Sequence, residues 1–414
     1  MKQYDSYKES GVEWIGKVPS HWEIMPLKFT GTFGNGLTYS PKDVVDNGIL
    51  VLRSSNIQNS SLSFEDNVYV SNVSKVLLVQ KGDVIICSRN GSAALVGKSA
   101  FIDKDINATF GAFMMRYIPK INKKYGFYLF QTAIGRYKGY FATTTINQLT
   151  KSTIGEMKVP LANTEEQTAI VDFLDNKCSE IDKVISAQQK RIALLQELKQ
   201  SVITHAVTKG LNPNVEMKDS GVEWIGKSPL SWKYCRLKDF LKLRTDVSES
   251  LVKIGLENIE SKTGKFIETS TEFEGNGVAF SKRNIVYGKL RPYLQKVWLA
   301  EFDGNAVGDF FVFESKKNAI PTFIKYLMLS DGFTKEADGS TVGAKMPRVS
   351  SSFILTMHYC LPSIEEQQAI VEYLTKRCDS LDIALSKAQY QVELLQEYKQ
   401  SLITEVVTGK RKVC

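Results

Sequence analysis

The stretch Gly91 to Ser99, with the sequence GSAALVGKS, is the nearest match in the chain to a phosphate-binding loop. Such a loop has four residues between its two glycines, because its nest of backbone N–H groups depends on that count. Here five residues separate Gly91 from Gly97. No strand ending in paired acids is evident to hold magnesium, so the sequence does not predict nucleotide binding.

The stretch GDFFVFESK contains Asp309, Glu314 and Lys316, and two carboxylates with a lysine can hold a metal ion and activate water. Residues five apart on one strand point to opposite faces, which argues against a shared metal. The chain has no Gly-x-Ser-x-Gly or HExxH motif and no Asp/Asn-Pro-Pro-Tyr/Phe sequence. Catalysis by this chain alone is not predicted, and a metal-dependent nuclease remains a rival hypothesis that Asp309→Ala would test.

Six cysteines and three histidines are spread along the 414 residues, and no two cysteines form a CxxC pair. The spacing therefore predicts neither a disulfide framework nor a metal site. No run approaches the roughly 18 apolar residues of a membrane-spanning helix, and the first residues lack the apolar core of a signal peptide. The expected compartment is the cytoplasm.

Charge is unevenly distributed along the chain. The net charge of +8 fits many classes of protein by itself. Residues 165–207 contain five Lys/Arg against seven Asp/Glu, and residues 365–408 contain four against eight, so these segments carry −6 and the remainder carries +14. The cationic surface is therefore expected on the rest of the chain.

The chain is a tandem duplication. SGVEWIGKVPSHW at Ser10 to Trp22 returns as SGVEWIGKSPLSW at Ser220 to Trp232. Matches of this length are a repeat signal. Two further pairs of segments match: EEQTAIVDFLDNKC from Glu165 with EEQQAIVEYLTKRC from Glu365, and LLQELKQSVIT from Leu194 with LLQEYKQSLIT from Leu394.

The interiors of the two repeats differ. Residues of about 35–160 and 240–355 share little beyond fragments such as Asn56-Ile57 and Asn258-Ile259. Drift after duplication would erode the ends as well as the interiors. The pattern therefore favours one common framework that carries two different binding surfaces.

Two long segments have the pattern of helices. The first, from Thr164 to about Val207, contains no proline or glycine, and its apolar residues recur with a period near 3.5. The second copy repeats this pattern in register. The segments begin with capping-box patterns and end near Gly210 and Gly409. The expected coiled-coil seam consists of Ile181, Ile185, Ile192, Leu195 and Val202 in the first helix and Leu381, Leu385, Val392, Leu395 and Leu402 in the second.

A helix of about 43 residues is roughly 64 Å long, and its apolar stripe must be covered. The simplest partner is the other copy, and antiparallel pairing would relate the repeats by a pseudo-two-fold axis. The alternative is that each helix packs only on its own domain. Gln188, Lys199 and Lys399 interrupt the apolar seam.

The regions between the repeated ends contain short β-branched and aromatic segments bounded by Gly, Asn or Asp, which are typical of strands and turns. One or two helices are expected among them, near Tyr125–Ile134 and Thr322–Leu329. The predicted fold class is α+β, with two globular α+β domains separated by two long antiparallel coiled-coil helices. The predicted boundaries are 1–163 and 209–362 for the domains, and 164–208 and 363–410 for the helices.

The repeated motifs resemble those of specificity subunits of Type I restriction-modification systems. They are WIGKVPSHW and WIGKSPLSW before the variable regions, EEQ-x-AIV opening each long helix, and LLQE-x-KQS-x-IT near each helix end. The resemblance covers both repeats. It implies two target-recognition domains that each read half of a bipartite, asymmetric double-stranded DNA target, with helices that fix the half-site spacing and no catalysis by the chain itself.

The resemblance also implies partners. The helices of such subunits dock two methyltransferase subunits, and translocating restriction subunits join that core. No cofactor is expected on this chain, whereas S-adenosylmethionine, ATP and magnesium are expected on the partner subunits. A coiled-coil adaptor that binds only protein is a further rival hypothesis, and it predicts no salt-sensitive affinity for DNA.

Side chains expected to contact DNA lie in turn-like stretches, where donors and acceptors can reach base edges and phosphates. In the first domain the candidates are Arg53, Ser54, Asn56, Arg89, Asn90, Lys98, Thr144, Asn147, Gln148 and Lys151. In the second domain they are Lys289, Arg291, Tyr293, Lys296, Ser340, Thr341, Lys345 and Arg348. The repeated tryptophans are expected to pack rather than to stack on bases, and they are Trp14, Trp22, Trp224 and Trp232.

Overall fold

The computed structural model describes residues 3–141, 148–248, 252–343 and 345–413. Its contacts divide the chain into two compact units: unit 1 combines residues 1–187 with 392–414, and unit 2 consists of residues 188–391. This division differs from the linear boundaries predicted above, because the end of the second long helix packs into the core of the first globular region. Each long helix is therefore shared between the two units.

Unit 1 combines short strands with helices. Its strands are β1 (Tyr7–Glu9), β2 (Lys17–Pro19), β3 (Glu23–Pro26), β4 (Gly31–Asn35), β5 (Val44–Val45), β6 (Ile49–Leu52), β7 (Ile57–Gln58), β8 (Ser61–Leu62), β9 (Tyr69–Val70), β10 (Val84–Cys87), β11 (Ser99–Phe101), β12 (Ala108–Phe110), β13 (Met114–Pro119) and β14 (Lys158–Leu161). Its helices are α1 (Lys123–Phe141), α2 (Lys151–Gly155) and the first part of α3 (Thr164–Lys209).

Two four-stranded sheets form the body of unit 1. The first is antiparallel with the order β11-β10-β13-β4, and the second has the order β12-β6-β9-β5, in which β12 and β6 are parallel. Strand β10 is buried on both faces. Val84 and Ile86 belong to the core that contains α1, whereas Ile85 and Cys87 belong to the core of the second sheet. This alternation fixes the register of β10, because a slip of one residue would exchange the two faces.

Unit 2 repeats this composition. Its strands are β15 (Met217–Asp219), β16 (Lys227–Pro229), β17 (Lys233–Arg236), β18 (Leu241–Arg244), β19 (Val247–Ser248), β20 (Lys253–Ile254), β21 (Gly277–Phe280), β22 (Ile285–Gly288), β23 (Val297–Leu299), β24 (Gly304–Ala306), β25 (Phe310–Ser315) and β26 (His358–Leu361). Its helices are α4 (Pro321–Met328), α5 (Asp331–Gly339), α6 (Ser351–Thr356) and the first part of α7 (Ile364–Val407), together with the end of α3.

The first sheet is the same in both units, and the second sheet is not. The order β23-β22-β25-β18 in unit 2 matches β11-β10-β13-β4 in unit 1. The second sheet has the order β12-β6-β9-β5 in unit 1 and the order β20-β24-β21-β19 in unit 2. The earlier strand of the parallel pair, β6, pairs with β9 in unit 1, whereas in unit 2 the later strand of the parallel pair, β24, pairs with β21. The α+β class is confirmed, and helices α1 and α4 lie where the sequence predicts them. The interiors of the repeats thus differ in topology as well as in sequence.

The two long helices run antiparallel within each unit. In unit 1, the start of α3 and the end of α7 meet at Trp22, whose Nε1 donates to Glu166 at 2.9 Å and which lies beside Gly409. Farther along both helices, Lys399 of α7 pairs with Asp182 of α3 at 2.7 Å. The first contact joins the start of α3 to the end of α7, and the second joins a later residue of α3 to an earlier residue of α7. The two helices therefore run in opposite directions.

The same arrangement recurs in unit 2. Gly210, which follows α3, lies beside Glu366 at the start of α7 and beside Trp232. Lys199 of α3 pairs with Asp382 of α7 at 2.6 Å. In each unit a helix therefore contacts both its own globular region and the other helix. Every predicted seam residue is buried or half-buried.

The repeated tryptophans pack into the interior. Trp22 and Trp232 are 0% and 1% exposed, and Trp14 and Trp224 pack against the same two cores. The prediction that these residues pack rather than stack on bases is confirmed. Among the described residues, no helix is long and apolar enough to cross a membrane.

Candidate DNA-recognition surface

The central strand pairs of the two units superimpose residue by residue in their registers. Cys87 of β10 opposes Met114 of β13, and Gly288 of β22 opposes Phe310 of β25. Counting outward from these pairs, Ser88 is equivalent to Lys289. By the same count Phe113 is equivalent to Asp309, since each immediately precedes the second strand of its pair.

A third segment joins this end of each strand pair. Arg89 forms a β-bridge with Gln148 in unit 1, and Leu290 forms one with Arg348 in unit 2. We call this region the recognition edge. It consists of Ser88 to Asn90, Phe113 and Gln148 in unit 1, and of Lys289 to Arg291, Asp309 and Arg348 in unit 2. The structure thus brings together stretches that the sequence analysis selected separately.

The recognition edge of unit 1 presents an aromatic ring, a guanidinium and amides. Phe113 is 60% exposed, and the Arg89 guanidinium lies over its ring, 5.3 Å from the centroid. Asn90 donates through Nδ2 to the hydroxyl of Ser54 at 3.2 Å. Gln148 is exposed beside Arg89. Cation–π contact and hydrogen bonding therefore organise this surface without an ion pair among these four side chains.

The recognition edge of unit 2 is ionic. The Asp309 carboxylate accepts hydrogen bonds from Nε and Nη2 of Arg348 at 2.9 and 3.0 Å. Lys289 Nζ lies 3.8 Å from the same carboxylate. The hydrogen bond from Arg348 and the two neighbouring cations hold the pKa of Asp309 below its ordinary value. Because two cations surround one anion, this cluster carries a net positive charge.

The loop after β22 has unusual backbone geometry. Arg291 and Gln295 have φ values of +51° and +49°, the left-handed region that non-glycine residues seldom adopt. The N–H of Arg291 donates to the carbonyl of Pro347 at 2.8 Å, which ties this loop to the third segment. Arg291 and Tyr293 are both exposed on it. Strained backbone of this kind clusters at ligand-binding sites, because surrounding contacts must impose it.

The candidates differ in how far they reach the surface. The exposed ones are Arg89, Gln148, Lys151, Arg291, Tyr293, Lys345 and Arg348. The half-buried ones are Arg53, Ser54, Asn90, Lys98, Lys289, Lys296, Ser340 and Thr341. Arg53 forms an ion pair with Asp66 at 2.7 Å. Thr144 and Asn147 lie outside the described residues.

Two candidates have structural roles instead. Asn56 is 0% exposed; its Oδ1 accepts from the N–H of Arg53 at 2.9 Å, and its Nδ2 donates to backbone carbonyls of Ser63 and Asp66. Asn258 holds the equivalent turn in unit 2, with its Oδ1 accepting from Gly255 N–H at 2.9 Å. The shared Asn-Ile fragment therefore stabilises a turn, and we exclude Asn56 from the recognition surface.

Lys296 is the second correction. Its Nζ donates to the carbonyls of Leu256 and Ile259 at 2.6 and 2.7 Å. Burial lowers the pKa of this ammonium group, which is held against the protein interior rather than presented to solvent. Ser340 and Thr341 also donate their hydroxyls to carbonyls of α5, at Ala337 and Asp338. Those two hydroxyls keep lone pairs that can still accept hydrogen bonds.

Sequence reasoning missed Phe113 and assigned Asp309 only to a rival hypothesis. Neither residue lies in the Gly- or Ser-rich stretches from which the contacts are predicted. The available signal was positional: each stands directly before a long buried strand, and aligning the two strands would have paired them.

The residues of the rival nuclease hypothesis are engaged in other contacts. Asp309 is occupied by Arg348 and Lys289, while Lys316 donates through Nζ to the carbonyl of Lys238 at 2.6 Å. Across the described ranges, no group of three or more His, Cys, Asp or Glu side chains is placed to hold a metal ion. The residues of GDFFVFESK therefore do not converge on one metal.

Comparisons with known proteins agree with the fold and the motifs. Residues 19–193 match the family model described as the Type I restriction modification DNA specificity domain. The chain is 24% identical over 347 residues to the Type I restriction enzyme EcoDI specificity subunit of Escherichia coli, covering 76% of this chain and 77% of that protein. It is 24% identical to the MjaVIII specificity subunit of Methanocaldococcus jannaschii, over 83% of each chain.

A further relative in Methanocaldococcus jannaschii, the putative MjaX specificity subunit, is 23% identical over 96% of each chain. A chain from a solved structure, described as the structural basis of complex assembly and conformational transition of the type I R-M system, shares the fold with a TM-score of 0.67. It is 12% identical, with 94% of this chain and 98% of that chain covered. Over most of its length the chain is therefore similar to specificity subunits of Type I restriction-modification systems, the resemblance that its repeated motifs predict.

Proposed function

We propose that this chain recognises a bipartite, asymmetric double-stranded DNA target, with one half read by each unit, and that it supplies no catalytic group of its own. One observation carries this proposal: the two units place different side chains at equivalent positions of the same recognition edge. An aromatic ring beside a guanidinium occupies the positions in unit 1 that an Asp–Arg–Lys cluster occupies in unit 2. Two chemically different surfaces on one framework suit two different half-sites.

The side chains at both edges are of types that read DNA. Arginine, asparagine and glutamine pair with the edges of guanine and adenine in the major groove, and lysines fix the register on phosphates. The excess of positive charge outside the acidic long helices, +14 against −6, supports phosphate binding by the globular parts.

The experiment is to co-express the chain with a methyltransferase subunit of the same restriction-modification system and to map modified adenines across the host genome by single-molecule sequencing. The expected result is one motif with two defined halves separated by a fixed number of unspecified bases. Replacing the interior of unit 1, residues 36–160, by that of a relative should change one half and leave the other unchanged. A stable complex that modifies no motif would contradict the proposal.

Exposed apolar side chains on the long helices support docking of two methyltransferase subunits. Leu194 and Leu198 of α3 are 64% and 41% exposed, and their repeat equivalents Leu394 and Tyr398 of α7 are 44% and 52% exposed. Exposed apolar side chains on otherwise acidic helices are typical of protein contacts. Because the positions are repeated with a shift of 200 residues, they offer the same contact twice.

Substituting Leu194→Lys or Leu394→Lys should each remove one of the two methyltransferase subunits, because a charge at the centre of an apolar contact must be desolvated. The number of bound subunits is measured by light scattering on the eluted complex. Val76→Lys, at a residue that is 74% exposed on the globular part of unit 1, is the matched control. Two methyltransferase subunits on both helix variants would exclude this surface.

The remaining cofactors belong to the partners in this proposal. S-adenosylmethionine would bind the methyltransferase subunits, and ATP with magnesium would bind the restriction subunits. The rival adaptor hypothesis differs from DNA recognition in the expected salt dependence of binding, because only phosphate contacts release counterions.

A further inference from the structure

Phe113 in unit 1 and Asp309 in unit 2 occupy equivalent positions, since each immediately precedes the second central strand of its unit. One side chain is aromatic and the other is acidic. We propose that this position selects one base in each half-site. In unit 1, Phe113 contacts the 5-methyl group of a thymine. In unit 2, Asp309 is a positioning residue that holds Arg348 for a guanine. This inference rests on the proposed function and names the base contacts within it.

The backbone at this position is fixed by the sheet. The carbonyl of Phe113 accepts from the N–H of Ser88 at 2.9 Å, from the N–H of Arg89 at 3.1 Å and from the Ser88 hydroxyl at 2.9 Å. The carbonyl of Asp309 accepts from the N–H of Lys289 at 2.9 Å. A side chain at the end of a paired strand is positioned more precisely than one on a free loop, and discrimination between bases requires that precision.

Phe113 combines an exposed ring with polar neighbours. The aromatic side chains of the nearby cores, such as Phe110 and Tyr117, are fully buried, whereas Phe113 is 60% exposed. Arg89 lies over the ring, and Gln148 is bridged to Arg89, so both supply hydrogen-bond donors near it. Thymine presents the one methyl group of the major groove, and an apolar side chain such as phenylalanine is its usual contact. The exposed ring is therefore suited to contact a thymine methyl group, while the nearby donors are suited to bind the neighbouring phosphates.

Asp309 and Arg348 complete the comparison. The Asp309 carboxylate accepts hydrogen bonds from Nε and Nη2 of Arg348, and this bidentate pair fixes the plane of the guanidinium. The Arg348 side chain is 45% exposed, so its other edge, which carries the Nη1 donors, is available to a ligand. A planar arginine edge matches O6 and N7 of guanine, the commonest specific contact in the major groove. Lys289, 3.8 Å from the carboxylate, keeps the local charge positive for the adjoining phosphates.

Methylome mapping tests both halves of this inference. The chain is co-expressed with its methyltransferase subunit as wild type, Phe113→Ala, Phe113→Leu, Asp309→Asn or Phe29→Ala. The Phe29 variant is the matched control, because Phe29 is 66% exposed in unit 1 with Lys28 lying 5.4 Å from its ring centroid, but it lies outside the recognition edge. Phe113→Leu keeps an apolar side chain and should keep the preference for thymine, so it shows whether a loss in Phe113→Ala comes from the missing apolar contact.

The expected result is that Phe113→Ala relaxes one position of one half-site, where the preference for thymine falls on the order of tenfold. Asp309→Asn should relax a guanine position in the other half by a similar factor. Phe29→Ala should leave both halves unchanged. A wild-type motif that persists unaltered in Phe113→Ala and Asp309→Asn overturns this inference alone, whereas a wild-type complex without any motif overturns the proposed function.

A binding measurement isolates the methyl contact. The purified complex is titrated with a duplex that carries the mapped motif, and with the same duplex containing deoxyuridine in place of the assigned thymine. Wild-type affinity should fall roughly fourfold, the value of one buried methyl group. The affinity of Phe113→Ala should not distinguish the two duplexes. Equal losses in wild type and variant would show that the methyl group is read elsewhere.

Discussion

Lys199 and Lys399 show how single residues can look misplaced in a sequence and fit in the structure. Both interrupt the apolar seam, and each pairs with an aspartate of the other helix, Asp382 and Asp182 respectively. The two pairs are related by the repeat shift of 200 residues. A charged pair inside an apolar seam contributes little net stability but disfavours other registers, since a slipped helix would leave a charge unpaired.

We expect Asp382→Asn to destabilise the protein more than Asp182→Asn. Asp382 is paired with both Lys199, at 2.6 Å, and Lys265, at 3.0 Å, and its side chain is only 17% exposed. Its loss leaves two cations without a counterion and should cost about 2 kcal/mol. The Asp182 side chain is 54% exposed, so its pair should be worth less than about 1 kcal/mol. Urea unfolding of both variants measures the difference.

The pH dependence gives an independent check of the same pair. Burial opposes ionisation of Asp382, but hydrogen bonds and charge from Lys199 and Lys265 hold its pKa below the ordinary value. Its ionised form therefore stabilises the folded state above about pH 4, and that contribution is lost as the pH falls through the lowered pKa. The difference in unfolding free energy between wild type and Asp382→Asn should be constant from about pH 6 to 8 and should shrink below pH 4. A constant difference down to acid would argue against the ion pair.

Which residues could be predicted depended on what their positions require. The seam positions follow from periodicity alone, because a helix of known period fixes which residues share a face. Asn56 was misassigned because its side chain stabilises a turn through hydrogen bonds to the carbonyls of Ser63 and Asp66. Those residues lie seven and ten positions farther along the chain, so the contact is not evident from the local sequence. Phe113 and Asp309 were not among the predicted contacts, because their position on the recognition edge depends on strand pairing, which composition does not reveal.

Glycines close both long helices, and each occupies a tight position. Gly409 has φ +72°, and a Cβ added there would lie 2.3 Å from Cδ of Pro19. Gly210 has φ +76°, and its added Cβ would lie 3.1 Å from the flexible carboxylate of Glu366. The helix ends are therefore held against the repeated motif that contains the tryptophans, which explains why both the glycines and that motif occur in each copy.

We expect Gly409→Ala to lower the stability more than Gly210→Ala. Both substitutions strain a left-handed residue by about 1 kcal/mol. Only Gly409→Ala also forces a proline ring to move, which adds roughly 1–3 kcal/mol of overpacking. Gly16→Ala is the control, since Gly16 has φ +67° and open space around its added Cβ. In thermal unfolding, Gly409→Ala should lower the Tm most, and Gly210→Ala and Gly16→Ala should lower it by similar, smaller amounts. A reversed order would show that the helix end repacks freely.

At the level of elements, the long helices were predictable and the sheets were not. Helix α3 begins at the predicted Thr164, and α7 begins one residue after the predicted Ser363 cap. Their 3.5-residue pattern runs over many turns and has no competing interpretation. The strands are two to six residues long, and paired residues lie as far apart in sequence as Glu23 and Leu161, so local pattern could indicate strands without indicating their pairing.

The molecule as a whole is a duplication that does not divide at its repeat boundary. The sequence places the division between residues 208 and 209, but unit 1 recruits residues 392–414. The reason lies in packing: Leu402, Ile403, Val406 and Val407 of α7 complete the core that contains Trp22 and Leu27. Such a core cannot be read from a linear sequence, because the segments that close it are nearly 400 residues apart.

The charge distribution of the whole molecule determines how DNA binding should depend on salt. If the globular parts carry the DNA surface, the logarithm of the affinity should fall with the logarithm of salt concentration by about 0.9 per phosphate contact. Lys151→Ala and Lys345→Ala, at exposed lysines beside the two recognition edges, should each reduce that slope by about 0.9 without altering the sequence preference.

Lys17→Ala is the matched control for these two variants, because Lys17 is 69% exposed in unit 1 but pairs with Glu9 away from the recognition edge. Its slope should equal that of wild type. Phe113→Ala should also keep the wild-type slope while losing discrimination, since it removes an apolar base contact and no phosphate contact. A wild-type slope near zero would instead favour the adaptor that binds only protein, because association without phosphate neutralisation releases no counterions.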